Sequence, residues 1–303
     1  MNPRPDSVAG LTEALRGDGY LADRGLATAA YVALSLDRPL LLEGEVGVGK
    51  TEIAKALARV LGRRLIRLQC YEGIDTHQAL YEWDYARQLL QIRALSERDL
   101  ADDSAVDALF GPAFLLERPL LDAVRAGDSA VLLVDEVDRA DDEFEAFLLE
   151  LLSDFAITIP EIGTVAAERP PLVVLTSNRT RELHDALKRR CLYSWVGYPD
   201  TERELAIVRA RIPGVDERLA RKVVAAVQRL RDLDLVKAPG VAETLDWVAT
   251  LAAVGATGPE GFDAATIEDT IGAVVKDHDD LAVVRERVHE LAAGGAPYVP
   301  RSG

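Results

Sequence analysis

Cysteine is scarce in this chain: Cys70 and Cys191 are the only two among 303 residues. They stand far apart and neither belongs to a CxxC pair, which excludes a disulfide framework and a cysteine-rich zinc module. A chain of this length buries enough surface to fold without such staples. The cysteine usage is typical of a reduced compartment, so we expect a cytoplasmic protein.

Long hydrophobic runs are absent as well. No stretch of the sequence reaches about 18 consecutive apolar residues, the length at which a membrane-spanning helix becomes a candidate. The start, MNPRPD, has no apolar segment of the signal-peptide kind. We therefore expect neither membrane insertion nor a secretory leader.

Basic residues are outnumbered: 35 lysines and arginines stand against 51 aspartates and glutamates, a formal net charge of −16. Nucleic-acid binders obtain much of their affinity by neutralising phosphates with basic side chains. The acidic balance thus disfavours a nucleic-acid partner and an anionic membrane surface, although a local basic groove is compatible with it. Apolar residues at 49% and charged residues at 28% are typical of a globular protein, and the length suggests about two domains.

Short apolar runs punctuate the first two thirds of the chain, at 39–44, 65–68, 131–134, 171–175 and 192–196. Runs of this length predict strands, which we expect to be buried at 39–44, 131–134 and 171–175, and the helical spacing at 49–62 and 144–155 predicts helices between them. Strands that alternate with helices are typical of an α/β fold, a parallel sheet flanked by helices. The same patterns predict a loose tail over 1–9, helical structure over 11–36 and 114–124, and a hairpin over 156–165.

The pattern changes after Pro199-Asp200. From Thr201 to Ala293 the sequence shows helical spacing and no strand run. We place a domain boundary near residue 198. The sequence therefore predicts an α/β core over residues 1–198, a smaller all-helical lid domain over 199–293 and a tail over 294–303.

One segment matches the phosphate-loop pattern G-x-x-x-x-G-K-[ST] in full. Its residues are Gly44, Glu45, Val46, Gly47, Val48, Gly49, Lys50 and Thr51. The segment follows a predicted strand and opens a predicted helix, which is the setting the pattern needs and which makes an ordinary glycine-rich turn a poor alternative. Glycines let backbone N–H groups turn towards phosphates, and the helix N-terminus adds partial positive charge. The pattern assigns Lys50 to the β- and γ-phosphates and the Thr51 hydroxyl to Mg²⁺.

An acid pair, Asp135-Glu136, ends the apolar run at 131–134. At this place in a phosphate-loop protein, one acid joins the magnesium site and a second can polarise the attacking water as a general base. We assign these roles to Asp135 and Glu136 in that order. The alternative is a helix N-cap pair, since aspartate caps helices well. The neighbouring Asp138 and Arg139 are less specific and fit structural or interface roles.

Together, the 44–51 loop, the strand with its acid pair and the helical C-terminal part resemble AAA+ ATPases. The resemblance implies ATP and Mg²⁺ as cofactors and ATP hydrolysis as the activity. Asn178, in Thr176-Ser177-Asn178 at the end of the next predicted strand, then has the role of the polar sensor 1 residue that positions the water. The segment 186–191 resembles the one that carries the arginine finger, with Arg189 and Arg190 as candidates and Arg190 preferred. The alternatives are a solvated helix end for the two arginines and a turn residue for Asn178.

The distance between the phosphate loop and the acid pair helps to identify the AAA+ subgroup that the sequence resembles. Lys50 and Asp135 are 85 residues apart (135 − 50), which is long for an AAA+ core and implies an insertion at about 71–111. Five segments, 68–75, 81–85, 118–120, 159–165 and 176–183, resemble the MoxR family, and the CoxD-like branch in particular. This resemblance covers about residues 20–255. It implies a ring, of six subunits in the family, and a chaperone that assists metal-cofactor insertion or assembly of a client enzyme, with a von Willebrand A-domain protein as partner.

Three points stay open at this stage. The family carries a sensor 2 arginine at the start of a lid helix, but 237–243 contain none, so either Lys237 substitutes or the lid senses the γ-phosphate without this contact. The aromatic residues of 71–86 come with acidic and no basic neighbours, which favours packing or a protein contact over base stacking. Two other functions remain: a nucleic-acid motor or loader on the same fold, and a nucleotide-dependent binding switch without turnover.

Overall fold

The computed structural model describes residues 2, 4–94, 109–256 and 258–293, with the side chain of His77 left aside. Contacts between residues divide the chain into two compact units. The first comprises residues 1–14, 23–43 and 51–195, and the second comprises 15–22, 44–50 and 196–303. The domain boundary near residue 198 stays a prediction, because these units interleave along the chain.

A five-stranded sheet is the centre of the α/β part, which confirms the predicted fold class. Its strands are β1 (Leu40–Gly44), β2 (Arg64–Gln69), β5 (Ala130–Asp135), β8 (Leu172–Ser177) and β9 (Leu192–Val196), in the order β2-β5-β8-β1-β9. Every residue of β1, β5 and β8 is buried, as the apolar runs predict for strands covered on both faces. The β5, β8 and β1 strands pair in parallel, so their carboxyl ends meet at one edge.

Helices flank this sheet. They are α1 (Val8–Gly17), α2 (Arg24–Ser35), α3 (Lys50–Leu61), α4 (Thr76–Leu80), α5 (Tyr85–Ala94), α6 (Pro119–Ala126), α7 (Asp142–Asp154) and α8 (Asp185–Arg190). The α7 helix begins where the Asp141 side chain accepts a hydrogen bond from the Phe144 N–H. Its Phe144, Leu148 and Leu151 side chains are buried in the core, as the spacing predicts.

Three secondary-structure expectations are wrong in detail. The predicted tail over 1–9 already contains the start of α1 at Val8, and the predicted helical stretch over 11–36 is two helices, because Gly19 has a positive φ and Asp23 caps a new helix. The predicted helix over 114–124 begins only at Pro119, since proline suits the first helical position. Its first part is a strand, β4 (Leu115–Glu117), antiparallel to β3 (Tyr81–Trp83).

The hairpin over 156–165 is confirmed as β6 (Ala156–Ile159) and β7 (Gly163–Ala166), which pair antiparallel. The predicted insertion at 71–111 lies partly outside the described residues, at 95–108. In its described part, Trp83 is buried and packs edge to face on Phe110 at 5.6 Å. Tyr71 and Tyr85 are exposed, so packing accounts for some of these aromatic residues and not for others.

The second unit contains a helical assembly with its own core. Its helices are α9 (Thr201–Arg211), α10 (Glu217–Arg231), α11 (Val241–Ala253), α12 (Ala264–Thr270), α13 (His278–Arg285) and α14 (Val288–Ala292). Trp247 is fully buried there, 5.3 Å from the Phe262 ring, and its indole N–H donates to Thr270 Oγ1 at 3.0 Å. Among the described residues of either unit, none of the helices has the length and apolar character needed to cross a membrane.

Candidate functional site

The phosphate-loop segment connects β1 to α3, as its pattern predicts. Gly44 has a φ of 155°, and a Cβ at this residue would lie 2.0 Å from the Val196 carbonyl oxygen, so only glycine fits. The Lys50 side chain is buried and its Nζ donates to the carbonyls of Gly44 at 2.8 Å and Glu45 at 2.5 Å. These carbonyls hold the ammonium against the loop, from where it can turn to a phosphate that binds there.

Asp135, the last residue of β5, accepts hydrogen bonds from side chains of three other elements, α3, β8 and β2. The Thr51 hydroxyl donates to its Oδ1 at 3.0 Å, and the Thr176 hydroxyl donates to the same oxygen at 2.6 Å. The carboxylate is almost fully buried, with 3% of the side chain exposed. The structure therefore brings the two predicted magnesium ligands, Thr51 and Asp135, within hydrogen-bond distance. Hydroxyl and carboxylate oxygens are the ligand types that suit Mg²⁺.

Arg67 contacts the other oxygen of Asp135, and the sequence patterns did not single it out. Its Nε and Nη2 donate to Asp135 Oδ2 at 3.0 and 2.5 Å. The register explains the contact: β2 pairs with β5 so that Gln69 lies opposite Asp135, and Arg67 points to the same face two residues earlier. An arginine inside the apolar run at 65–68 was the one sequence signal available.

Glu136 follows Asp135 in a left-handed backbone conformation, with φ 55° and ψ 50°. Non-glycine residues adopt it at a cost of about 1–3 kcal/mol, and such residues cluster at functional sites. The Glu136 N–H donates to Thr176 Oγ1 at 2.9 Å, and its Oε2 lies 2.9 Å from Arg139 Nε. Glu136 stands at the N-cap position of the short 3-10 turn Val137–Arg139, but its side chain makes no capping hydrogen bond there, which disfavours the N-cap alternative.

The segment after β8 is fixed by Asp138. The Oδ2 atom of this buried carboxylate accepts hydrogen bonds from the N–H groups of Asn178 at 3.2 Å and Thr180 at 2.8 Å, and from the Thr180 hydroxyl at 2.7 Å. Asp138 therefore has the structural role that the sequence favours. The Asn178 amide side chain makes no hydrogen bond to the described residues, which leaves it available to a water or ligand.

The candidate finger residues, Arg189 and Arg190, end α8 and are both exposed. Neither guanidinium forms a hydrogen bond or ion pair within the described parts of the chain. Their backbone carbonyls are held by Arg38, whose Nη2 donates to Arg189 O at 2.9 Å and Arg190 O at 3.0 Å. Arg38 precedes them by about 150 residues, so no local sequence signal connects it to α8.

The region of the missing sensor 2 arginine precedes α11. The Lys237 N–H donates to Asp280 Oδ2 at 2.9 Å, and its ammonium lies 3.8 Å from Asp277 Oδ2. Lys237 thus faces carboxylates of its own unit.

Burial makes both cysteines poor candidates for thiolate chemistry. Burial, with Asp135 as the next contribution, raises the pKa of the Cys70 thiol to about 12. Burial likewise raises the pKa of Cys191 to about 12. Both thiols therefore stay protonated and weakly reactive at neutral pH.

Comparison with known proteins identifies the family. The model of the AAA domain (dynein-related subfamily) matches residues 39–191, about half of the chain. The chain belongs to this AAA family. The matched region of the AAA protein runs from the start of β1 to the end of α8 and includes every site residue predicted from the sequence.

Two relatives match most of the AAA protein's length. The gas vesicle ATPase GvpN2 of Halobacterium salinarum is 26% identical over 281 residues, which cover 86% of this chain and 75% of GvpN2. Protein NorQ of Paracoccus denitrificans is 26% identical over 285 residues, 90% of this chain and 92% of NorQ. Among solved structures, the Thermotoga maritima RuvB Holliday junction branch migration motor is 15% identical, covers 93% of this chain and 72% of its own, and has a TM-score of 0.45, too weak a likeness for a functional argument.

Proposed function

We propose that this AAA protein is an ATP-hydrolysing chaperone of the MoxR type, most like the CoxD-like branch, with ATP and Mg²⁺ as cofactors. One observation carries the proposal: the hydroxyls of Thr51 and Thr176 meet on one oxygen of Asp135, with Glu136 next in the chain. This joins the end of the phosphate loop to the carboxyl ends of two neighbouring strands, where an open α/β sheet binds its ligand.

The roles of the residues follow from their chemistry. Backbone N–H groups of the 44–51 loop and the Lys50 ammonium bind the phosphates. Thr51 and Asp135 would hold Mg²⁺, which neutralises developing charge on the phosphates. Glu136 accepts a proton from the attacking water as general base, and the Asn178 amide, which makes no hydrogen bond to the described residues, orients that water.

The ring is proposed from the state of α8. Arg189 and Arg190 are exposed at the end of α8, and their side chains have no partner in the described chain, which leaves them available to another subunit. The alternative is a solvated helix end, since arginine side chains are mostly exposed. We assign Arg190 as a finger that completes the site of a neighbouring subunit, in a ring of six. An arginine supplied in trans is worth roughly 10³–10⁵ in rate in related NTPases.

Two considerations support a chaperone over the other functions. GvpN2 bears the name of an ATPase, which supports hydrolysis over a binding switch, and the MoxR resemblance reaches to about residue 255, within the helical part of the chain. The net charge of −16 disfavours the nucleic-acid motor or loader. A client enzyme, a von Willebrand A-domain protein and a cytoplasmic location complete the proposal. Stimulation of hydrolysis by DNA or RNA that weakens with salt would reverse this ranking.

Substitution of the proposed base tests the proposal. Glu136→Gln should bind ATP as the wild type does and hydrolyse it about 10²–10⁴ times more slowly, because a general base contributes about that factor. Glu168→Gln, at an exposed residue outside the motifs, is the matched control and should hydrolyse normally. Phosphate release and ATP affinity are the two readouts. Equal turnover in Glu136→Gln and wild type would refute the assignment, and ATP binding without turnover in the wild type would favour the switch.

A further inference from the structure

The phosphate loop touches the start of α11 through the backbone. The N–H groups of Val241 and Ala242 donate to the Gly47 carbonyl at 3.0 and 3.3 Å. A Cβ on Gly240 would lie 2.7 Å from both Gly47 Cα and the Val46 carbonyl oxygen. A Cβ on Gly47 would lie 3.1 Å from Gly240 Cα. The two glycines are thus in direct contact, without room for a side chain on Gly240.

This contact supplies what the helix start lacks. The first N–H groups of an α-helix have no partner inside the helix, and a side chain at the N-cap usually accepts one of them. Gly240 occupies the N-cap of α11 and has no side chain. The Gly47 carbonyl accepts two of these N–H groups instead, and Glu243 Oε2 accepts the Gly240 N–H at 2.9 Å. A carbonyl of the phosphate loop therefore caps α11.

Buried charges hold the segment before Gly240 in place. Arg231 Nε donates to the Pro239 carbonyl at 2.7 Å. The same guanidinium forms a paired contact with Glu204, Nη1 to Oε2 and Nη2 to Oε1 at 2.7 Å each, and both side chains are almost fully buried. Thr244 Oγ1 donates to Glu204 Oε1 at 2.5 Å, which ties α11 to the pair. The buried Arg231–Glu204 pair therefore fixes the position of the turn at Pro239 and Gly240, which contacts the phosphate loop.

The direction of the Gly47 carbonyl matters for phosphate binding. A phosphate loop binds through N–H groups that point inward, so its carbonyls must point away from the ligand. In a trans peptide the C=O and the following N–H point in opposite directions. Anchoring the Gly47 carbonyl on α11 thus fixes the direction of the Val48 N–H. Gly47 has a φ of 76°, a conformation that suits glycine, and without a Cβ its own backbone restrains the direction of this peptide little.

We propose that the start of α11 is a positioning element for the phosphate loop, and that Gly240 is the residue that permits it. The proposal rests on nucleotide binding at this loop. It favours the second of the two alternatives for the missing sensor 2 arginine, because Lys237 faces Asp277 whereas the α11 backbone reaches the loop directly. Nucleotide binding at the loop and the contact between α11 and the loop then stabilise one another.

A pair of glycine substitutions tests the contact. Gly240→Ala places a methyl group against the loop, and the affinity for ADP and for ATPγS should fall about tenfold or more. Gly272→Ala is the matched control, since its Cβ meets nothing within 4 Å. A merely structural role would lower the melting temperature without nucleotide. We expect some fall in that temperature, because the methyl group meets backbone atoms, and in addition a smaller shift on adding ADP in Gly240→Ala alone.

A second substitution covers the case in which Gly240→Ala disturbs folding. Val241→Pro removes the N–H that Gly47 accepts, at a first helical position where proline is tolerated. Ala264→Pro makes the same change at the start of α12, where the N–H makes no hydrogen bond in the described chain. We expect weaker ADP binding in Val241→Pro only. Wild-type affinity for ADP in both Gly240→Ala and Val241→Pro would overturn the inference. A wild type that binds ADP but never hydrolyses ATP would refute the proposed function, and the comparison of ADP affinities between the variants would still test the inference.

Discussion

Arg139 holds the carboxylate of Glu136, with Nε 2.9 Å from Oε2. The residue proposed to activate water is therefore engaged with a neighbour three positions along the chain. Glu136 has to leave Arg139, or use its other oxygen, before it can accept a proton from water. The pair restrains the proposed base in the state that the structure describes.

Removal of this restraint gives the first prediction. Arg139→Ala should raise the basal rate of ATP hydrolysis about two- to fivefold, since a half-exposed ion pair is worth about 0.2–1 kcal/mol. Arg169→Ala, which removes a similar exposed contact to Asp128, is the control and should change nothing. Steady-state phosphate release measures both. A fall to the level of Glu136→Gln would contradict the prediction and make Arg139 part of the catalytic machinery.

Thr176 links the two acids, because its hydroxyl donates to Asp135 and accepts from the Glu136 N–H. Thr176→Val keeps the shape and removes both bonds. We expect hydrolysis to fall and the free energy of unfolding to drop by about 1–3 kcal/mol, the cost of unsatisfied buried groups. Thr158→Val, at an exposed residue of β6, is the control. Denaturant unfolding and kcat should both be unchanged there, and an unchanged kcat in Thr176→Val would argue against the link.

Arg38 holds the carbonyl end of α8, which bears the proposed finger. Arg38→Gln should lower kcat at saturating ATP and leave ATP affinity unchanged, because the finger acts on the neighbouring site. Arg64→Gln, which breaks an exposed pair with Asp122, is the control.

A mixture of two variant proteins tests the finger directly. Arg190→Ala and Glu136→Gln, each inactive alone, should regain turnover together, because an intact Glu136 in one subunit can meet an intact Arg190 from its neighbour. No recovery in the mixture would contradict a finger supplied in trans.

The burial of the two thiols predicts slow labelling of the folded chain and a loss of stability at high pH. Cys70 and Cys191 both have a pKa raised to about 12 by burial, so at pH 9 only about one thiol in a thousand is ionised in the folded chain. Both should react slowly with a disulfide reagent until guanidinium unfolds the protein. Unfolded thiols lose their protons near pH 9, so the stability from these groups is complete below that pH and is lost as the pH rises towards 12. Fast labelling of the folded chain would contradict their burial.

Local patterns predicted the sheet well, because β5 and β8 are buried on both faces and therefore appear as continuous apolar runs. The sequence patterns did not predict the short strand β4. Three residues carry too little periodicity to identify a strand, and the pairing partner β3 lies more than 30 residues earlier in the chain. For the same reason, the spacing over 114–124 predicts one helix where the structure has a strand and a helix.

The candidate site divides in the same way. The loop of 44–51 and the acids Asp135 and Glu136 are contiguous motifs, and the sequence contains them in full. The contacts that orient them come from elsewhere: Arg67 through the β2–β5 register, and Arg38 through the packing of distant segments. Gly240 gave no signal in the sequence, because its importance lies in the absence of a side chain at a backbone contact.

The measurement that tests the central claim most directly is the specific rate of ATP hydrolysis as a function of protein concentration, with magnesium and no partner. Sites completed by Arg190 of a neighbouring subunit require assembly. The account therefore predicts a rate per subunit that rises steeply with concentration and then saturates, and a flat, low rate for Arg190→Ala. A rate per subunit that is appreciable and independent of concentration would mean self-contained sites and would contradict the ring with a finger in trans.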